Sequence, residues 1–283
     1  MPNHNTPAGP AGGALPLHPP EGAVPLHGKL SVSGLRVTYS SGGKSVTPFS
    51  DVNFSVDDGE FICIIGPSGA GKSTLLFALA GLISPSAGEI RVAGRVVHGP
   101  GGDRAVVFQD DAVFPWYTVE KNVAYSPSAA GWDRKRKERA VDEALSLVGL
   151  ADRRTFLPGQ LSGGMRKRVD VARAFAGDPE TILMDEPFGG LDTQTKESLQ
   201  EAILEIWNSK KKTILFVTHD LEEAAFLADR VFVLQKGGGL NIVPIDLPRP
   251  RTSAMRTEPA LQSYRRLLGD LIRSQEESGN HVH

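Results

Sequence analysis

Nine consecutive residues, Gly66-Pro67-Ser68-Gly69-Ala70-Gly71-Lys72-Ser73-Thr74, have the types and spacing to hold a chain of phosphates. They fit the pattern G-x-x-x-x-G-K-S/T, which requires a strand before it and a helix after it. The apolar run Phe61-Ile62-Cys63-Ile64-Ile65 precedes them, and Leu75 to Ala80 reads as the first turns of a helix. The glycines let backbone N–H groups turn inward around phosphate oxygens. The helix that follows adds its N-terminal dipole to the same anion site. Lys72 is then placed to reach the β- and γ-phosphates, and the Ser73 hydroxyl to hold Mg²⁺. A second G-K-S, Gly43-Lys44-Ser45, lacks this context: Thr38 stands where the first glycine belongs, and it reads as a polar loop.

Four further groups could complete phosphate chemistry. The run Thr181-Ile182-Leu183-Met184 ends in Asp185-Glu186. An aspartate at the end of a buried strand suits a magnesium carboxylate, and the glutamate after it is close enough to polarise a water aimed at the γ-phosphate. Gln109 ends the strand Arg104-Ala105-Val106-Val107-Phe108, and His219 follows Thr213 to Thr218. Gln109, Asp185 and His219 therefore share the C-terminal edge of one parallel sheet, where ligands bind in open α/β folds. Leu161-Ser162-Gly163-Gly164 precedes the helical stretch Met165 to Phe175, with Ser162 at the N-cap position. That is either an ordinary capped helix or a second anion site. Tyr39 is either a strand aromatic or a ring that stacks on a base.

The elements that must position these groups alternate strand and helix, an α/β fold with a parallel sheet. Leu30, Val32, Leu35, Val37 and Tyr39 alternate loosely, as in an edge strand; Phe49 to Val56 reads as a second strand and Gly88 to Val97 as a hairpin. Thr118 to about Leu157 is helical, with Val141, Leu145 and Val148 at helical spacing, so residues 112–178 form a helical insertion. The basic run Arg134-Lys135-Arg136-Lys137 reads as a solvated face. Helices are expected over Lys196 to Ser209, Leu221 to Ala228 and Glu258 to Ile272, with a strand over Val231 to Leu234. Residues 1–28, rich in Pro, Gly, Ala and His, are expected to be a disordered leader, 29–250 the catalytic domain, and 251–283 a C-terminal helix and polar tail.

Composition narrows the function classes. The 283 residues carry a net charge of −2, which argues against a nucleic-acid surface. The single cysteine, Cys63, excludes a disulfide within the chain and suits a reducing cytosol. The N-terminus lacks the basic and apolar segments of a signal peptide. No run approaches the roughly 18 apolar residues of a membrane span. Membrane association is therefore expected only through a partner.

Taken together, the motifs resemble the ATP-binding-cassette (ABC) ATPases over about Lys29 to Ile245. The signature Leu161-Ser162-Gly163-Gly164 upstream of a D-E strand separates that family from P-loop kinases. The resemblance implies a P-loop fold with an edge antiparallel β-subdomain and a helical insertion. It implies ATP and Mg²⁺ as ligands, Tyr39 as the adenine-stacking aromatic, and Gln109 as a magnesium ligand that senses a membrane partner. Asp185 is similar to the Walker B aspartate, Glu186 to the catalytic glutamate, Asp192 to the D-loop aspartate and His219 to the switch histidine. It further implies a head-to-tail dimer, of this chain or with a paralogous cassette, in which Ser162, Gly163 and Gly164 of one chain close over ATP on the phosphate loop of the other.

Phe114-Pro115-Trp116, Leu-Ser-Gly-Gly-Met and Leu247-Pro248-Arg249-Pro250-Arg251 resemble more narrowly the importer ATPases for nitrate, sulfonate and taurine. The expected partners are two transmembrane permease subunits and, indirectly, a solute-binding protein, with the chain on the cytoplasmic face of the inner membrane. A soluble ABC ATPase acting on nucleic acid or ribosomes usually has two cassettes or a long coiled coil, and an exporter motor is often fused to its membrane domain; this chain has none of these. Four residues depart from the family pattern: Met165 where Gln is commoner, a change the importer subgroup shares, Lys167 where Gln is usual, Asp170 where a small or apolar residue is usual, and Gly190 where alanine is usual.

Overall fold

The computed structural model describes residues 28–41 and 44–279; nearly all of the expected leader, Gly43 of the second G-K-S and the end of the polar tail lie outside them. The first half contains β1 (Leu30–Ser41), β2 (Lys44–Val56), β3 (Phe61–Ile65), α1 (Lys72–Leu79), β4 (Ala87–Val92), β5 (Arg95–Val96), β6 (Arg104–Val107), α2 (Val119–Val123), α3 (Tyr125–Ala129) and α4 (Arg134–Leu147). The second contains α5 (Gly163–Ala176), β7 (Thr181–Asp185), α6 (Thr193–Lys210), β8 (Thr213–Val217), α7 (Leu221–Leu227), β9 (Arg230–Leu234), β10 (Leu240–Pro244) and α8 (Pro259–Gly279).

The strands β3, β7 and β8 are buried at every residue, which is why they read as unbroken apolar runs rather than alternating ones. They sit inside a six-stranded sheet of order β10-β9-β3-β8-β7-β6. All its pairings are parallel except β10 with β9. The pleat divides each strand between two cores. Phe61, Cys63 and Ile65 join the core under α5 to α8, with Val169, Ile203 and Phe226. Ile62 and Ile64 join the core under α1, with Leu75, Leu79, Phe49 and Phe54. Cys63 is fully buried there, and burial pushes its thiol pKa well up, so it acts as a small hydrophobe.

Four antiparallel strands, ordered β2-β1-β4-β5, form the second sheet. Here two expectations are corrected. β1 is not an edge strand: it pairs with β2 on one side and β4 on the other. Its loose alternation comes from bulges between Val32 and Tyr39, with Gly34 at φ +58°. Lys44 and Ser45 do not form a loop but open β2, paired with Ser41 and Ser40. A long partner strand extends the ladder through residues whose own polarity suggests a turn.

The insertion between β6 and β7 contains helices and no strand, as α2, α3, α4 and α5. It is broken more often than its periodicity suggests, at Gly131 (φ +70°) and again at Gly149 (φ +66°). Strand β10 is not expected from the sequence, because it is short, follows Gly237-Gly238-Gly239 and ends in Pro244. α6 starts three residues earlier than expected because Asp192 caps it, accepting from Thr195 N at 3.0 Å.

Candidate active site

The parallel order puts the loops after β3, β6, β7 and β8 on one edge of the sheet. The loop after β3 is the phosphate loop. Its first glycine is required by space: a Cβ on Gly66 would stand 2.4 Å from the carbonyl oxygen of Leu234 on β9. Lys72 opens α1 and folds back over the loop, donating to Gly66 O at 2.9 Å and Pro67 O at 3.1 Å. Burial lowers its pKa, against the raising pull of Glu186 and Asp185. The lysine is thus held where a phosphate chain would displace the two carbonyls.

Ser73 Oγ donates to Asp185 Oδ1 at 3.0 Å, joining the start of α1 to the end of β7. Asp185 is 2 % exposed, and burial raises its carboxyl pKa. A buried carboxylate with no ion-pair partner among the described residues fits a metal ion, and hydroxyl plus carboxylate oxygen suits Mg²⁺, which takes one or two protein carboxylates and leaves the rest to water and phosphate. Among the described residues no group of three or more His, Cys, Asp and Glu could form an all-protein cage, in keeping with such a site.

Glu186 follows with φ +42°, a left-handed conformation costing about 1–2 kcal/mol for a non-glycine residue. Its N–H donates to Val217 O and its carbonyl accepts from Gly189 N, both at 3.0 Å, so the fold over-determines the strained turn. The turn brings Glu186 Oε2 within 3.0 Å of His219 Nδ1 and 3.5 Å of Gln109 Nε2. Three strand ends thus converge on one carboxylate. Beside it lies a cavity of about 210 Å³ lined by Glu186, His219 and residues 188–191, large enough for water. Tyr39, 39 % exposed, donates from its hydroxyl to Thr74 Oγ1 at 3.2 Å, which leaves its ring beside the start of α1.

The residues Ser162, Gly163 and Gly164 lie elsewhere. Ser162 caps α5, its Oγ accepting from Met165 N at 3.3 Å, and Ser162 and Gly163 are exposed. Among the described residues none of the three hydrogen-bonds to the phosphate loop. Gly164 packs against the start of α6: a Cβ there would meet Thr195 Cγ2 at 3.0 Å. Asp192, exposed, is occupied as the cap of α6. The chain thus presents two helix starts, at Lys72 and at Gly163, that share no hydrogen bond among the described residues.

Residues 49–189 match the ABC transporter family. The chain belongs to that family. Among its relatives, the nitrate import ATP-binding protein NrtD of Synechocystis sp. is 41 % identical over 255 residues, 87 % of this chain and 96 % of that one. The aliphatic sulfonates import ATP-binding protein SsuB of Bacillus licheniformis is 42 % identical over 238 residues, 83 % of this chain and 91 % of that one. The ATP-binding cassette MJ0796, solved as a dimer in a post-hydrolysis state with ADP and Pi, superposes with a TM-score of 0.69 at 28 % identity, covering 77 % of this chain and all of that one. This chain is an ABC ATPase, and the fold is that of the P-loop cassettes.

Some of the cassette's site residues carry no motif. Lys196 on α6 pairs with Asp220 at 2.6 Å and Glu223 at 2.7 Å, while Thr218 donates to Glu223 at 2.5 Å. Asp220 in turn caps α7 and accepts from the N–H of Glu222 and Glu223. This network fixes the turn that carries His219. Its only trace in the sequence is a lysine on the polar side of an amphipathic helix, which pattern reading assigns to solvent. Gly190 is explained by its φ of +74°, where the family's alanine would be strained.

Proposed function

We infer that this chain is the ATP-hydrolysing motor subunit of an ABC importer, working as a dimer beneath two permease subunits at the cytoplasmic face of the inner membrane. The observation that carries the catalytic reading is the convergence of Gln109, Glu186 and His219 next to the Ser73–Asp185 pair. In this reading Lys72 binds the β- and γ-phosphates, and Ser73, Asp185 and Gln109 would hold Mg²⁺. The metal, when bound, neutralises charge on the phosphate oxygens. Glu186 orients and polarises water for in-line attack on the γ-phosphate. His219, hydrogen-bonded to Glu186, contacts the transferring phosphoryl group. Tyr39 stacks on adenine, and Ser162, Gly163, Gly164 and Asp192 act on the nucleotide of the partner copy.

The permease reading is supported by an aromatic patch on the insertion, covering residues 112–178. Trp116 is 70 % exposed and Tyr125 47 %, and both pack on Phe114, five residues from Gln109. Exposed aromatic surface of this kind marks a protein interface. No described helix is long and apolar enough to cross a membrane; in this reading the transport path belongs to the permease subunits. The solute is assigned to the class of small anions and sulfonates taken up by the relatives; since relatives of 41 % and 42 % identity are named for different solutes, identity alone does not select one.

The test is Glu186→Gln. This substitution keeps the side-chain shape and removes the carboxylate. ATP binding, measured by calorimetry, should stay within a few-fold of native, while hydrolysis falls at least about 10²-fold. Hydrolysis near the native rate would remove Glu186 from the mechanism. Isolating the cognate solute-binding protein and identifying its ligand by mass spectrometry decides the solute.

A further inference from the structure

Between β6 and α2, residues 108–118 form neither helix nor strand. The loop that carries Gln109 is gripped instead by one face of α5. Lys167, 2 % exposed, donates from Nζ to Phe108 O at 2.7 Å and Gln109 O at 2.5 Å. One turn on, Asp170, 1 % exposed, accepts from Ala112 N at 2.9 Å. Arg173 donates to Ala112 O at 2.7 Å and to Asp170 Oδ1 at 2.5 Å, and its guanidinium lies 5.2 Å from the centre of the Phe114 ring. Arg166 pairs with Asp111 at 2.7 Å and holds Leu161 O at 2.9 Å, beside the signature turn. Steps of three and four residues align these side chains on one helix face. Lys167 and Asp170 both depart from the family pattern.

We propose that Lys167, with Asp170 and Arg173, is a positioning clamp that fixes the Gln109 loop to the signature helix, so that Gln109, Ser162–Gly164 and the Phe114–Trp116 patch move as one rigid body. The physical basis is the burial of the charges. Pulling the loop off α5 would strand an ammonium and a carboxylate with their partners gone, a state far costlier than breaking a neutral hydrogen bond. A glutamine at 167 offers one neutral amide in place of a charged three-donor group, and the loop could separate from the helix more easily. Burial pulls the Lys167 pKa down, opposed by the nearby carboxylates of Asp170, Asp111, Asp110 and Asp185.

The proposal rests on Gln109 acting at the nucleotide, and the experiment separates the two ideas. Hydrogen exchange is measured on the nucleotide-free protein for Lys167→Met, which removes all donors, and Lys167→Gln. Amides in residues 108–114 should exchange about tenfold faster in the Met variant, with the Gln variant between it and native, and those of β3 and α1 should not change. With Mg-ATP, kcat should fall about tenfold in Lys167→Met while KM for ATP stays within twofold, and Lys167→Gln should recover most of the rate. Unchanged exchange in 108–114, or a KM that rises in step with the loss of rate, overturns the clamp. If Lys167→Met does not fold, Asp170→Asn takes its place in both measurements, and the same two results overturn the clamp. Gln109→Ala hydrolysing at the native rate would remove Gln109 from the site, while the exchange rates in 108–114 still test the clamp.

Discussion

Asp185 is held in a conflict between burial and charge. Its carboxylate is buried, accepts from Ser73 Oγ, and has a pKa raised chiefly by burial. A raised pKa in the folded state means that the ionised form costs stability. The cost is absent below the usual carboxylate range, grows as pH rises through it, and is fully present above the raised folded pKa. Asn at this position still accepts from Ser73 without the charge. Asp185→Asn should therefore melt at a higher temperature than native at pH 7 in the absence of nucleotide. The difference should shrink at an acidic pH within the usual carboxylate range, where part of the native carboxyl is neutral, and Mg-ATP hydrolysis should be lost at every pH. Thermal melts at the two pH values check the sign. Glu186 carries a second local cost, its left-handed backbone, in the residue whose carboxylate must be aimed at Gln109 and His219. Stability and function oppose each other at two consecutive residues.

At the scale of elements, helix ends do most of the positioning. Ser162, Asp192 and Asp220 cap α5, α6 and α7, and each capped turn also presents a site residue. The other end of α7 is closed from a distance. Arg251, 6 % exposed, donates to Ala225 O, Phe226 O and Ala228 O, and also to Ile245 O. Burial lowers its pKa to about 10, which still leaves it charged at pH 7. The Leu247-Pro248-Arg249-Pro250-Arg251 segment, read in the sequence as a subgroup marker, is thus a structural strap over the helix behind His219. Arg249 adds to it by pairing with Asp229 at 2.7 Å and lying 4.1 Å over Trp207. Arg251→Met should leave the carbonyls at the end of α7 without their charged donor and cost about 2–3 kcal/mol. In urea titrations the midpoint should fall with the slope unchanged.

In the proposed reading the whole molecule holds two half-sites. The phosphate loop, with its strand-end residues, is one; the exposed start of α5 is the other, and the two share no hydrogen bond among the described residues. A two-fold dimer would bring each α5 start over the other copy's phosphate loop and bury both. Nucleotide binding and dimerisation are then linked, and blocking hydrolysis should trap the assembly. Glu186→Gln should elute as a monomer without nucleotide and as a dimer with ATP on size-exclusion chromatography with light scattering, and Ser162→Arg in that background should abolish the shift. A Glu186→Gln protein that stays monomeric with saturating ATP would separate the two half-sites.

The sequence alone was enough for the parts of this protein whose signals are local. The phosphate loop, the D-E strand end, the N-cap before two glycines and the buried five-residue strands each announce themselves within a few residues, because backbone geometry, capping and strand burial act over that range. The shared sheet edge of Gln109, Asp185 and His219 was also legible, since parallel strands have only one arrangement of their C-terminal ends. Tertiary structure decided what depends on contacts distant in sequence. It turned Lys44 and Ser45 into a strand by pairing them with β1, drew Lys196 into a network with Asp220 and Glu223, and placed Lys167 on carbonyls 58 and 59 residues away. A charged side chain is ordinarily read as solvated, and only a fold that brings carbonyls and carboxylates to it can make burial favourable. The phosphate loop by itself is a motif for holding phosphate; the fold supplies the edge, the strained glutamate and the gripped glutamine loop that make it half of an active site.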